Sequence, residues 1–289
     1  MSAQKDRLYK DVEFLTTIRP YRNCKNLKSL QKASSYIKDE FIKSGLEVEE
    51  QKWMVEKNEF TNVIASYNKE KSKRLIIGAH YDVAGNTPGA DDNASAVAGL
   101  LETARMIQEN RPEIDYRIDF VAYCLEEPPH FGKKEMGSFV HAKSLWAINA
   151  DVIGMICYEM IGFFSKQGIL DKYKSQVSEL AEDYPDNGEY IVVVGNEDFA
   201  DFNEKVYDLM EEDSGIDVQL ANLPAYHPWA GMSDHLNYWK FSYPALMIND
   251  AAFLRNPNYH ELSDTIDTLN FDKMTEVVNS TYRAVINLA

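Results

Sequence analysis

The apolar positions of this chain follow a helical period at first, then give way to short apolar runs alternating with amphipathic segments. Residues 6–18 and 27–44 space their apolar side chains three and four apart, and Leu30, Ala33, Tyr36, Ile37 and Phe41 form one such face. Two β-like runs follow at 46–55 and 60–67. From residue 74 onward, apolar runs at 74–79, 116–125, 151–158 and 243–248 read as strands. Helical patterns fall at 93–110, 136–146 and 272–287, and Val97, Leu100, Leu101, Ala104 and Ile107 share one stripe. Within 163–188, a helical pattern covers 169–181 and the rest reads as loop. Strands alternating with helices predict βαβ units, hence an α/β fold of three layers with a mixed, mainly parallel central sheet flanked by helices. No repeat, low-complexity stretch or Pro/Gly-rich linker divides the chain, so residues 1–289 read as a single domain.

Open parallel sheets bind ligands just beyond the carboxyl ends of their strands. Those positions are unusually uniform here. His80 and Asp82 follow the run at 74–79, Glu126 and Glu127 close the run at 116–125, and Glu159 follows 151–158. Tyr259 and His260 lie downstream of 243–248, while Asp91 and Asp92 stand just before the 93–110 helix. Four converging strand ends of acid and imidazole, with no Lys or Arg among them, would repel one another without cations. Imidazole and carboxylate are donors that zinc and similar divalent ions prefer. Two histidines with several carboxylates fit a metal pair about 3.5–4 Å apart that shares a bridging Asp. The bland alternative is a set of separate surface acids around satisfied histidines.

The segment His80-Tyr81-Asp82, followed by Pro88-Gly89-Ala90-Asp91-Asp92-Asn93-Ala94-Ser95, resembles the co-catalytic two-zinc aminopeptidase family. That superfamily also holds glutamate carboxypeptidases and glutaminyl cyclases, and its fold is that of the zinc exopeptidases. Leu125-Glu126-Glu127, Gly137-Ser138, Tyr158-Glu159-Met160-Ile161-Gly162 and Ser233-Asp234-His235 resemble further family elements in the family's order. Tyr243-Pro244-Ala245-Leu246 and Asn258-Tyr259-His260 with Asp264-Thr265 complete the series. The resemblance implies a zinc-peptidase catalytic domain with two Zn2+ ions, or Mn2+ or Co2+ in their place. Asp92 would bridge them, His80 and Glu159 would hold one, and Glu127 and His260 the other. Glu126 would be the general base and acid, taking a proton from the water between the metals and delivering it to the leaving amine. Asp82 would complete the catalytic machinery by fixing the His80 tautomer. The family also often has a cis peptide after the bridging Asp, here Asp92-Asn93. Glu159 departs from the family's usual Asp by one methylene, and residues 128–136 are longer and richer in proline than the usual link. We read that link as a stiff loop at the mouth of the site that limits substrate size.

Net charge sharpens the choice of partner. At −16 over 289 residues, the surface repels phosphate backbones and anionic lipids, so nucleic acid and membrane are not expected partners, and a peptide substrate is. The N-terminal residues lack an apolar signal-like run, and Cys24, Cys124 and Cys157 form no CxxC pair. Reduced cysteines predict a cytoplasmic protein, the alternative being a secreted or periplasmic one whose signal peptide is not in the sequence. HExxH, GxSxG, Walker-type and GxGxxG motifs are absent.

Weaker candidates read as structural. His130, His141 and His227 are expected off the site, and Ser233 or Asp234 is a candidate helix cap beside His235. Tyr226, Trp229, Trp239, Phe253 and Tyr259 are candidates for an apolar specificity pocket. Arg255 would make the enzyme a carboxypeptidase if it bound a substrate carboxylate, and a structural ion pair is the alternative. Two rivals to N-terminal hydrolysis keep the same scaffold: a one-zinc glutaminyl-peptide cyclotransferase, and a non-catalytic binding module.

Overall fold

The computed structural model describes residues 2–177, 185–212 and 214–288. Two helices, α1 (Lys5–Thr17) and α2 (Leu27–Lys43), precede an antiparallel hairpin of β1 (Glu47–Val55) and β2 (Asn58–Tyr67). There follow β3 (Arg74–His80), α3 (Ala96–Asn110), β4 (Arg117–Tyr123), α4 (Gly137–Ala147) and β5 (Val152–Tyr158). The later elements are α5 (Asp171–Val177), β6 (Tyr190–Asn196), α6 (Ala200–Glu211), β7 (Asp217–Leu223), α7 (Leu236–Trp239), β8 (Ala245–Asn249) and α8 (Phe271–Asn287). All eight strands join one sheet in the order β1-β2-β4-β3-β5-β8-β6-β7. The run β4-β3-β5-β8 is parallel throughout, and β6 with β7 is parallel too. Only β1 with β2, β2 with β4, and β6 with β8 are antiparallel. The expected mixed, mainly parallel α/β sheet is what the chain forms.

Period-two alternation splits the strand side chains between two cores. Leu75, Ile77, Ile118, Phe120, Ile156 and Leu246 face one core, packed against α1, α2, α3, α6 and α8. Their neighbours Ile76, Val121, Met155, Cys157 and Met247 face the other, covered by α4 and α7. Because the central strands are buried on both faces, they read as continuous apolar runs.

Three expectations needed adjustment. The 93–110 helix is regular only from Ala96; residues Ala90–Ser95 form a π-type turn in which Asp92 (φ −100°, ψ 88°) and Asn93 (φ −136°, ψ 34°) leave helical geometry. Residues 189–242, where only a helix start beside His235 is expected, contribute β6, α6, β7 and α7. Of the 169–181 helical pattern, Asp171–Val177 is helix, and 178–181 lies outside the described residues. No helix among the described residues is long and apolar enough to cross a membrane.

Candidate metal centre

The parallel run delivers its chemistry at one sheet edge. His80 is the last residue of β3, Glu126 and Glu127 follow β4, Glu159 follows β5, and His260 arrives by the loop after β8. Adjacent strand residues would point to opposite faces. The chain avoids this by leaving the strand in time: Leu125, just before the Glu pair, is left-handed (φ +65°). Met160, just after Glu159 (φ +48°), and His260 itself (φ +59°) are left-handed as well. Such conformations cost non-glycine residues energy and concentrate where a side chain must be aimed. Gly137 closes the other side of the β4 exit, because a Cβ there would strike Asn62 and the backbone of Cys124.

Three groups of ligand-type donors result; two of them share Asp92, and the third is His80, Glu126 and Glu127. His80 Nε2 lies 3.4 Å from Asp92 Oδ1 and 3.2 Å from Glu159 Oε2. His260 Nε2 lies 3.1 Å from Asp92 Oδ2 and 3.3 Å from Glu127 Oε2. Within each set the ligand-type atoms fall within 4.8 Å of one another. The two oxygens of Asp92 therefore face two different sets. Asp91 turns away, its carboxyl accepting from Gly162 N–H (2.9 Å) and Asn256 Nδ2 (2.7 Å). The Asp92-Asn93 peptide is cis, as the resemblance implied. Glu126 Oε2 stands 3.8 Å from His80 Nε2.

Supporting side chains hold this edge. Asp82 was expected to hydrogen-bond His80, yet its nearest oxygen is 3.6 Å from Nδ1, beyond a hydrogen bond. Its two oxygens accept instead from the backbone N–H of Glu126 (3.2 Å) and Glu127 (3.1 Å). Asp264 does the same for Asp91 N–H (2.8 Å) and Asp92 N–H (3.1 Å). Ser233 caps no helix; its hydroxyl donates to Glu159 Oε2 at 2.6 Å, and Asn93 Nδ2 donates to the same oxygen at 3.3 Å. The longer Glu159 side chain is thus tethered at its tip. A cation from outside the strand ends also acts on the site. Arg22, fully buried, feels the fields of Asp264, Asp92, Asp82 and Glu127.

Protonation shows how costly these charges are to bury. Burial, with repulsion from Glu127 and Glu159 and against the pull of His80, lifts the Glu126 carboxyl well above its usual range. Burial and the nearby Asp92 push Glu127 up to about 8. Burial opposes the His260 cation, but the nearby Asp92 and Glu127 carboxylates outweigh it and raise the imidazole to about 10. Burial would likewise raise Asp92, yet His260 and His80 hold it below its usual range. Such a cluster keeps protons where a divalent ion would take their place. His80 Nδ1, Asp92 Oδ1, Glu127 Oε1 and His260 Nε2 are buried without hydrogen-bond partners, which buried polar atoms rarely are. The donor set and its unpaired atoms fit a divalent metal.

The other candidates stand apart. His130 Nδ1 pairs with Glu135 (2.7 Å), His141 Nδ1 with the Tyr238 hydroxyl (2.7 Å), and His235 Nε2 with Ala230 O (2.7 Å). His227 lies beside Trp229, its Nδ1 accepting from Trp229 N–H. Arg255 is buried, donates to Tyr190 O (2.9 Å) and covers the Tyr190 ring, and its charge is felt by Asp250. Trp229 and Phe253 line an apolar cavity of about 90 Å³ with Val192, Leu223, Met232 and Met247. Tyr226 is 89% exposed, Trp239 donates to Ala245 O, and Tyr259 stacks on His260 at 3.8 Å. The 128–136 link folds back through His130 N–H to Glu127 O (3.0 Å).

An α/β sheet whose strand ends gather buried imidazole and carboxylate around room for divalent metal defines a class of metal-dependent hydrolases. The chain belongs to peptidase family M28, whose model matches residues 62–285. It is a metallopeptidase of exopeptidase class. It is 39% identical over 294 residues to the uncharacterized protein YfbL of Escherichia coli (strain K12), covering 99% of this chain and 88% of that one. The LapA aminopeptidase of Legionella pneumophila shares the fold at a TM-score of 0.79 and 20% identity, over 99% of this chain and 72% of that one. A glutaminyl cyclase of Bacteroides thetaiotaomicron, bound to N-acetylhistamine, does so at 0.74 and 21%, over 99% of each chain.

Proposed function

We propose that this chain is a two-zinc aminopeptidase that releases N-terminal residues from peptides, with Mn2+ or Co2+ able to replace zinc. One observation carries the reading: the two oxygens of Asp92 face separate donor sets, His80 with Glu159 and Glu127 with His260. Zinc in those sets would supply Lewis acidity to the scissile carbonyl and to the attacking water. Glu126 belongs to neither Asp92-sharing group, and although it falls with His80 and Glu127 in a third group of ligand-type donors, we assign its carboxylate to take a proton from that water and return it to the departing amine. Asp82 holds both Glu126 and Glu127 by their backbone N–H groups, so base and ligand keep a fixed spacing. His260 is the most open of the proposed ligands, its side chain 32% exposed, and marks the side from which substrate enters.

The apolar cavity bears on side-chain preference. None of the proposed ligands lines it, but its wall residue Met232 precedes Ser233, whose hydroxyl bonds Glu159. An apolar side chain at the substrate's first residue fits that lining. A panel of aminoacyl fluorogenic substrates, run beside N-blocked dipeptides with zinc, manganese or cobalt, tests the reading. Leucyl, methionyl and phenylalanyl substrates are expected to be cleaved and blocked dipeptides to survive. Preferential cleavage of the blocked dipeptides would make the enzyme a carboxypeptidase. Cyclisation of N-terminal glutamine without hydrolysis would place it with the cyclases.

A further inference from the structure

We propose that Arg22 is a positioning residue of the metal centre, its guanidinium fixing the strand exit that carries His80 and Asp82 against the turn that carries Asp91 and Asp92. The inference rests on reading the site as a metal centre. Arg22 lies far upstream of every proposed ligand, in the irregular segment between α1 and α2, and is 1% exposed. Its Nε donates to the carbonyl of Tyr81, the residue between His80 and Asp82, at 2.9 Å. Nη1 reaches Pro88 O at 2.7 Å and Leu15 O, in the last turn of α1, at 3.2 Å. Nη2 reaches Gly89 O at 2.6 Å. The Arg22 carbonyl in turn accepts from Val83 N–H at 3.2 Å.

These bonds converge on the two segments whose spacing sets the distance from His80 to Asp92. Gly89 is left-handed (φ +61°), and a Cβ there would meet Val83, the Asp92 carbonyl and Arg22 itself. Arg22 therefore grips the carbonyls of the 88–89 turn, while Asp264 grips the N–H groups of Asp91 and Asp92. Held from both sides, the turn has its carboxylate aimed before any ion arrives. A planar guanidinium serves carbonyls on three segments from three separate nitrogens in fixed positions; an ammonium has three donors, all on one atom. That difference supplies the test, because lysine keeps the charge and loses the fork.

Zinc is titrated by calorimetry into metal-free wild type, R22K, R22Q and, as a control, N23A. Asn23 is an equally interior neighbour whose side chain bonds Gly85 and Asn86 instead of the 88–89 turn. R22K and R22Q are expected to bind zinc about 10–100-fold more weakly than wild type, as when groups orienting metal ligands are removed elsewhere, and N23A to bind like wild type. Wild-type affinity in folded R22Q would show that Arg22 serves the fold alone, and wild-type affinity in R22K would show that charge acts and the fork does not. Either result overturns the proposal. A wild-type chain that takes up no zinc would instead remove the metal-centre reading beneath it. Should both Arg22 variants fail to fold, amide exchange on the metal-free wild type decides. The N–H groups of Val83, Ala90, Asp91 and Asp92 should exchange as slowly as those of β3; rapid exchange until zinc is added would contradict a preformed turn.

Discussion

Replacing Glu126 with glutamine is expected to lower turnover by about 10²–10⁴-fold, the usual contribution of a positioned acid–base group, while bound metal stays at the wild-type level. The expectation follows from where this carboxyl stands. Its Oε2 is 3.8 Å from His80 Nε2, against 3.2 Å for Glu159 and 3.4 Å for Asp92, so it lies beside the donors that share Asp92. A glutamine amide fills the same space and cannot accept a proton from water. Stability should not suffer, because burial already disfavours the charged form of Glu126. Steady-state kinetics on aminoacyl substrates, paired with metal analysis of the same preparation, give both readouts. Unchanged activity would remove Glu126 as the base; lost metal would recast it as a ligand.

Asp92→Ala should do the opposite, emptying the centre. Both donor sets lose a member, since one oxygen faces His80 and the other His260. Loss of a group that merely orients a ligand costs about 10–100-fold in metal affinity, and loss of a ligand shared by both sets should cost at least that. Asp91→Asn is the matched comparison. The Asp91 carboxyl is already engaged by Gly162 N–H, the Ser95 hydroxyl and Asn256, so that variant should keep its metal. Metal retention after extensive dialysis measures both. If Asp91→Asn loses metal and Asp92→Ala keeps it, the assignment of the bridging position is reversed.

The contrast between these neighbours shows what sequence can and cannot express. That acids and imidazoles collect at strand ends was legible, because apolar runs fix where strands stop and the parallel sheet fixes where their ends meet. Which of Asp91 and Asp92 faces inward was not legible from periodicity. It depends on the irregular turn at Ala90–Ser95, and only the order of family-like motifs favoured Asp92. β6 is an apolar run of the kind that read as strands elsewhere and was passed over, while β7 is a half-exposed edge strand of mixed polarity that carries no clear pattern. Arg22 escaped notice because its partners are backbone carbonyls, which leave no residue signature. Asp82 was assigned to the imidazole beside it in sequence, whereas it binds N–H groups brought close only by the β3–β4 register.

The proposed function rests on side chains distant in sequence that would surround two cations with the Asp92 carboxylate between them. Anomalous diffraction at the zinc edge, from crystals of the full chain grown with zinc, tests it most directly. Two peaks about 3.5–4 Å apart, one on each side of the position 92 carboxylate, are the expected result. No peak at that carboxylate, or a single peak with the other histidine bonded to carboxylates alone, would contradict it.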